Sequence, residues 1–323
     1  VENDPQIAHD IWKSDDILGW LYESYNNHKK KQHKEEGGKT EYNKVSLQSQ
    51  VYTPRWVVEF LVNNSLGKLY LEMYPGSKIR NHYKIANAPA ILSGVEGVSE
   101  VEGRKPISLH LLKLIDPATG SGNFLLYGFS FFYALYMDQI EHYGADYDED
   151  EIPRLIIENN LHGIDLDDRA IQLAQLGLWI KARQKNRSVG NLKFNVVSSD
   201  FFLPEFEEVR PLFETGATTG YQLSVMEEIW GDLQQAHKFG SLVRIEEKLS
   251  IKLHGIYEGD GLTLFDEENV KEYERFKAEF FKNLETAVTQ YAQQKGSSFL
   301  TDKTHDAITF LKILTQKYDV ATA

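Results

Sequence analysis

Three short acidic segments follow predicted strands and carry the residue types that could bind a polar ligand. A carboxylate accepts hydrogen bonds from hydroxyl, amino or ammonium groups, and a glycine-rich turn before a helix lets backbone N–H groups approach a ligand. Together they predict a pocket for a small molecule that carries several hydrogen-bond donors. The segments are Asp116-Pro-Ala-Thr-Gly-Ser-Gly-Asn-Phe124, Gly163-Ile-Asp-Leu-Asp167 and Ser199-Asp-Phe-Phe202.

The elements around these segments alternate between short apolar runs and longer helical ones. The sequence predicts strands at 111–115, 161–165 and 194–198 and helices at 123–142 and 168–184. This alternation is typical of a parallel sheet with helical crossovers. We therefore predict an incomplete α/β, Rossmann-like core with helices on both faces, and its strand ends bring the acidic segments together.

The first two segments are assigned by the groups that their side chains could contact. Asp116 is expected to face an ammonium group, directly or through water. Asp165, at the end of the next strand, is expected to accept hydrogen bonds from ribose hydroxyls, with Leu166 against an adenine ring. Asp167 or Asp168 is expected to cap the following helix. The turn residues expected to line the same pocket are Pro117, Ala118, Gly120, Gly122, Asn123 and Phe124.

The third segment completes a nucleoside site. Asp200 could accept a hydrogen bond from the adenine N6 amino group, while Phe201 or Phe202 stacks on the base. S-adenosylmethionine (AdoMet) carries an ammonium group, a ribose and an adenine, and we therefore expect the three segments to bind it. The long spacing from the glycines to Asp165 argues against NAD. Taken singly, the segments are also compatible with a tight turn, a helix cap and core packing.

A fourth segment, Val51-Tyr-Thr-Pro-Arg55, precedes the others. It begins a predicted helix that runs from Pro54 to about Met73, with Thr53 as its N-cap and Pro54 in the first turn. The expected apolar side of this helix is formed by Trp56, Val57, Phe60, Leu61 and Leu66.

The order of the four segments resembles the γ group of amino-directed, N6-adenine DNA methyltransferases, over residues 50–66 and 111–204. The resemblance implies AdoMet as cofactor, contact between Thr53 and its methionine carboxylate, and Tyr52 in the pocket wall. Thr119 departs from the group, which commonly has cysteine there. The segment Ala236-His-Lys-Phe-Gly-Ser-Leu242 is similar to PglX-type methyltransferases of BREX phage-defence systems, and type IIG restriction–modification enzymes are related.

The catalytic tetrapeptide of that group, Asn/Asp-Pro-Pro-Tyr/Phe, is absent from the sequence. The chain has nine prolines and no two are adjacent. Residues 317–323 nevertheless resemble the strand that leads into the tetrapeptide. We therefore expect an N-terminal fragment of a longer enzyme, with no catalytic residue of its own and no methyl transfer activity.

Composition narrows the choice of partners. The chain has no cysteine, which excludes disulfides and cysteine-rich zinc sites, and no metal site is predicted. Its net charge of −13 argues against general nucleic-acid binding, so DNA contacts are expected mainly outside this fragment.

The basic cluster at 28–34 indicates a solvated loop or, alternatively, a phosphate contact. No apolar run predicts a membrane span, and a prokaryotic cytoplasmic location is expected.

The pattern along the chain predicts three regions. These are an N-terminal helical region at 1–106, the AdoMet-binding core at 107–204 with 317–323, and a helical insertion at 205–316. The expected function is adenine-N6 methylation of specific DNA sites in restriction–modification or phage defence, with other subunits as possible partners. The alternatives are an RNA or protein-glutamine methyltransferase of the same fold, or a non-catalytic interaction protein.

Overall fold

The computed structural model describes residues 17–37, 52–86, 104–200, 205–214 and 298–322, with scattered positions between 223 and 293. The chain divides into two compact units, residues 1–196 with 317–323, and residues 197–316. The finer division at residues 106 and 204 remains a prediction. All of the candidate site described below lies in the first unit.

A four-stranded sheet organises the described part of the chain. Its strands are β1 (Leu114–Asp116), β2 (Leu161–Asp165), β3 (Asn195–Ser198) and β4 (Val320–Ala321), in the order β3-β2-β1-β4. Strand β1 pairs in parallel with β2 and with β4. The predicted α/β, Rossmann-like fold is confirmed. Strand β1 is shorter than expected because Leu109–Leu111 form a 3₁₀ turn ahead of it.

The helices connect and cover the strands. The main ones are α1 (Ile17–Glu35), α2 (Arg55–Val62), α3 (Lys68–Met73), α4 (Asn123–Tyr143), α5 (Ile152–Leu155), α6 (Asp168–Lys185), α7 (Phe206–Glu214) and α8 (Ser298–Leu314). Among the described residues, no helix has the length and hydropathy required to cross a bilayer. The helices predicted at 123–142 and 168–184 correspond to α4 and α6.

One π-helical turn, Asn63–Gly67, joins α2 to α3, so the helix predicted from 54 to 73 is continuous but not regular. Polar side chains occupy this turn. The Ser65 hydroxyl donates to the Leu61 carbonyl at 2.7 Å, and the Asn64 amide donates to the Phe60 carbonyl at 2.8 Å. Such side-chain bonds to backbone carbonyls accompany local widening of a helix.

The expected apolar side of that helix was wrong at two positions. Trp56 is 71% exposed and Phe60 is 58% exposed, whereas Leu66 is buried as predicted, together with Val58 and Val62. Because aromatic and aliphatic residues both recur at helical spacing here, the sequence alone does not distinguish the two faces. Thr53 is also not the N-cap, since Pro54 occupies that position without a side-chain cap.

Helix α4 is the centre of the core. Twelve of its residues are buried, and it contacts β1, β2, α2 and α6. A helix surrounded by protein is expected to be apolar on most sides. Its first residue follows Gly122, whose φ of 94° is left-handed, and a Cβ at Gly122 would lie 2.9 Å from the Ala174 Cβ of α6. Glycine is thus required there both by backbone conformation and by helix packing.

We expect Gly122→Ala to destabilise the protein by about 1–3 kcal/mol more than Gly120→Ala does. Both glycines have positive φ, but a Cβ at Gly120 meets nothing within 4 Å, whereas one at Gly122 meets α6. Urea unfolding of the two variants gives the comparison, and Gly120→Ala serves as the control for a Cβ at a positive φ that meets no neighbour. Equal unfolding free energies would show that α6 moves aside without cost.

Candidate functional site

The turn after β1 is fixed by hydrogen bonds to its own strand and to β2. Asp116 ends β1 and is 1% exposed, and its Oδ1 accepts from the Ala118 N–H at 3.1 Å. The Thr119 hydroxyl donates to the Asp116 carbonyl at 2.8 Å, and the Thr119 N–H donates to the Ile164 carbonyl at 3.0 Å. These contacts hold the turn against the carboxyl end of β2.

Asp165 connects the turn to the next helix. Its Oδ2 accepts from the Gly120 N–H at 2.7 Å, and its Oδ1 accepts from the Asp167 N–H at 2.9 Å. A carboxylate can accept about four hydrogen bonds, and Asp165 also lines the cavity described below. The Asp165 side chain therefore orders the protein and faces the ligand space at the same time.

A cavity of about 430 Å³ lies at this edge of the sheet. Its volume falls within the range of about 300–1,000 Å³ that is usual for small-molecule sites. The structure brings most of the sequence-predicted residues into its wall. They are Tyr52, Thr53, Asp116, Pro117, Ala118, Gly120, Asn123, Phe124, Asp165 and Leu166.

Three other predicted site residues have different positions. Gly122 lies beneath the turn, against Ala174, where it fixes packing. Asp200 belongs to the second unit, where its N–H donates to the Ser198 hydroxyl at 3.0 Å, and Phe201 lies outside the described residues. The assignment of Asp200 and Phe201 to an adenine therefore stays a prediction.

Helix α1 forms a wall of the cavity that the sequence did not predict. Its contributing residues are spaced by three or four, as one face of a helix requires. They are Gly19, Tyr22, Glu23, Asn26, Asn27 and Lys30. Lys30 belongs to the basic cluster at 28–34, so the loop predicted for that cluster was wrong: these residues are helical. Polar residues at helical spacing also occur on any solvated helix, so only their spacing could have suggested this wall.

The cavity holds two carboxyl groups in an environment that disfavours their charge. Burial raises the pKa of Asp116 to about 7, and burial also raises the pKa of Asp165. Within the described residues, the Asp116 Oδ2 and the Asn123 Oδ1 are buried acceptors without a hydrogen-bond partner. A bound cation or a group with several N–H donors would satisfy these oxygens and stabilise the charged carboxylates.

Asp167 is the N-cap of α6, which confirms one of the two predicted capping residues. Its Oδ1 accepts from the Arg169 N–H at 2.9 Å, and its Oδ2 pairs with the Arg169 guanidinium at 2.7 Å. The Tyr22 hydroxyl of α1 donates to the same Oδ2 at 2.8 Å. Burial favours the neutral acid, but these hydrogen bonds outweigh burial and lower the pKa of Asp167.

Comparison with known proteins identifies the domain around this cavity. A family model described as the DNA-methyltransferase domain of MmeI matches residues 105–210. Over these residues the chain is similar to that methyltransferase domain. The matched residues include β1, the glycine turn, β2 and β3, which are the elements that build the site described above.

Curated relatives extend the similarity to more of the chain. The adenine-specific methyltransferase BrxX of Escherichia coli O9:H4 (strain HS) is 32% identical over 200 residues, or 59% of this chain and 16% of that protein. The adenine-specific methyltransferase PglX of Lacticaseibacillus casei (strain Zhang) is 28% identical over 254 residues, or 72% and 19%. A putative type II restriction enzyme and methyltransferase of Methanocaldococcus jannaschii is 26% identical over 215 residues, or 62% and 16%.

The chain thus spans less than a fifth of the length of these relatives. The predicted resemblance to PglX-type and restriction methyltransferases is confirmed by their names and by the methyltransferase-family match.

The raised pKa of Asp116 predicts how the stability of the fold depends on pH. A carboxyl group whose folded pKa is raised to about 7 stabilises the fold when it is protonated, and this contribution is lost as the pH rises towards 7. The unfolding free energy of wild type minus that of Asp116→Asn should therefore fall between about pH 4 and pH 7, by at most about 1.4 kcal/mol per pH unit.

Urea unfolding across this pH range, without added ligand, measures the difference. Asp146→Asn is the matched control because it replaces an exposed carboxyl with the same amide, and its difference from wild type should not change in the same way. A constant difference for Asp116→Asn would show that folding does not raise the pKa of Asp116.

Proposed function

We propose that the cavity binds AdoMet. The observation that carries this proposal is the buried, unpartnered Oδ2 of Asp116, which lines the same cavity as the carboxyl of Asp165. AdoMet has an ammonium and a sulfonium centre, and a cation beside the buried carboxyl of Asp116 and the half-buried carboxyl of Asp165 lowers the cost of their ionisation. A dinucleotide or a nucleoside triphosphate would instead place phosphate charge beside those carboxylates, which disfavours binding.

In this proposal, different residues of the chain contact different parts of the cofactor. Asp116 accepts from the ammonium group, and Asp165 accepts from the ribose hydroxyls with its remaining lone pairs. Thr53 and Tyr52 border the methionine end, because both line the cavity beside Asn123. Leu166 contacts the adenine ring. The backbone around Gly120 allows close approach since a Cβ there would meet no protein atom within 4 Å.

We further propose that the chain is the cofactor-binding part of an enzyme that methylates adenine N6 in DNA. The relatives named above are adenine-specific or restriction methyltransferases, and the matched family is a DNA-methyltransferase domain. This favours DNA over RNA or a protein glutamine as substrate. AdoMet supplies the methyl group. We place this activity in restriction–modification or phage defence, in the cytoplasm of a prokaryote. Regions beyond these residues would make most of the contacts to DNA and to other subunits.

Asp165→Ala should weaken AdoMet binding at least tenfold, because hydrogen bonds between ribose hydroxyls and a charged acceptor are lost. Isothermal titration calorimetry of the wild type and the variant measures this change. Asp146→Ala removes an exposed carboxyl that does not line the cavity, and this variant should bind AdoMet like the wild type.

Two calorimetric outcomes would contradict the cofactor proposal. Unchanged affinity in Asp165→Ala would remove Asp165 from the site. Binding of ATP or NAD in place of AdoMet by the wild type would show that the carboxylates tolerate phosphate charge and that the cavity serves another ligand.

Adenine methylation is tested in a host without its own adenine methyltransferases. The gene is expressed with the flanking sequence that encodes the rest of the protein, and N6-methyladenine in total DNA is measured by mass spectrometry. We expect the modified base with the wild type and at least a tenfold reduction with Asp165→Ala. Methylation confined to RNA or protein would support the alternative substrates, and unmodified DNA, RNA and protein would contradict the catalytic proposal.

A further inference from the structure

Helix α1 is attached to the methyltransferase core without the apolar stripe that usually holds a surface helix. Its buried residues are Gly19, Asn26 and His33, none of which has an aliphatic or benzenoid side chain. Trp20, Leu21 and Tyr25 are 41%, 57% and 47% exposed. Ile17, Leu18 and Tyr22 are half-buried, so hydrophobic burial accounts for only part of the attachment, and polar contacts contribute as well.

Tyr22 makes the polar contact that is best placed to hold α1. Its hydroxyl donates at 2.8 Å to the carboxylate of Asp167, a residue that is 6% exposed. The pKa of Asp167 is lowered despite its burial, because Arg169 and Tyr22 donate to it. A hydrogen bond to an ionised, buried carboxylate is stronger than one between neutral groups.

The same contact leads directly into the cofactor site. The Asp167 N–H donates to Asp165 Oδ1, and Asp165 Oδ2 accepts from the Gly120 N–H. Tyr22 thus contacts the residue that orients the proposed ribose acceptor. The hydroxyl of Tyr22 and the glycine turn are connected through two aspartates.

One turn earlier, α1 also approaches Tyr52 and Asn123, which line the same cavity. A Cβ at Gly19 would lie 2.7 Å from the Tyr52 ring and 3.0 Å from Asn123 Oδ1. Gly19 and Tyr22 both line the cavity, so the helix extends across it from the Tyr52 side to the Asp165 side. A ligand in the cavity is consequently covered by α1 for as long as α1 stays attached.

We propose that Tyr22 is a positioning residue that fastens α1 across the cofactor cavity and thereby controls how fast AdoMet leaves it. This inference rests on the proposed AdoMet site. The helix must separate from Asp167 before the cofactor is released, and loss of the Tyr22 hydroxyl makes that separation easier. Such a change removes no atom of Asp116 or of the glycine turn.

The test compares Tyr22→Phe with Tyr25→Phe. Each variant loses one hydroxyl from the same helix, but Tyr25 contacts the core through its ring, with the Arg169 guanidinium 6.0 Å from the ring centre. Stopped-flow displacement of bound AdoMet by excess S-adenosylhomocysteine gives the dissociation rate constant. We expect about a tenfold increase for Tyr22→Phe and less than a twofold change for Tyr25→Phe.

Amide hydrogen exchange without cofactor supplies a second, independent readout. Exchange across 17–35 should accelerate at least fivefold in Tyr22→Phe, while β1 and β2 exchange as in the wild type. Unchanged dissociation in Tyr22→Phe, or faster exchange in the strands as much as in α1, would overturn the inference.

A different result would show that the proposed AdoMet binding is wrong while the role of Tyr22 in attaching α1 is right. A wild type that does not bind AdoMet would overturn the proposed function, and with it the control of AdoMet release by Tyr22. Hydrogen exchange would still decide whether Tyr22 fastens α1, because that measurement requires no ligand.

Discussion

The hydrogen bond from the Gly120 N–H to Asp165 is the contact on which the rest of the site depends. It joins the turn after β1 to the end of β2, beside the bond from the Thr119 N–H to the Ile164 carbonyl. Gly120 can donate in this direction because its φ is 54°, which a residue with a side chain adopts less readily. Asp165 also accepts a hydrogen bond from the N–H of Asp167, the N-cap of α6. One network of hydrogen bonds therefore connects the ends of β1 and β2, the turn and α6.

That arrangement explains why the central part of the site could be predicted from sequence. Parallel strands bring their carboxyl ends to one edge, so Asp116 and Asp165 had to meet once β1 and β2 were recognised. Glycines and an aspartate in a short turn have few other uses. Thr53 and Tyr52 were recognised through family resemblance, because their distance along the chain from the turn gives no physical indication of contact.

The parts that could not be predicted depend on which side of a helix meets the core. The residues of α1 that face the cavity are polar, and their pattern is the same as that of a solvated surface. Trp56 and Phe60 present the opposite case, since large aromatic side chains at helical spacing are exposed. In both cases periodicity identifies a helix, but the partner that selects its buried side lies elsewhere in the chain.

The π-turn between α2 and α3 changes which side of the helix the residues after the turn occupy, relative to the residues before it. A single π-turn contains about one residue more than an α-helical turn, and one residue corresponds to a rotation of about 100°. Residues on both sides of this offset, Val58 and Val62 before it and Tyr70 after it, are buried in one core. Deleting one residue of 63–67 would regularise the helix and turn Thr53 away from the cavity by more than a quarter of a revolution.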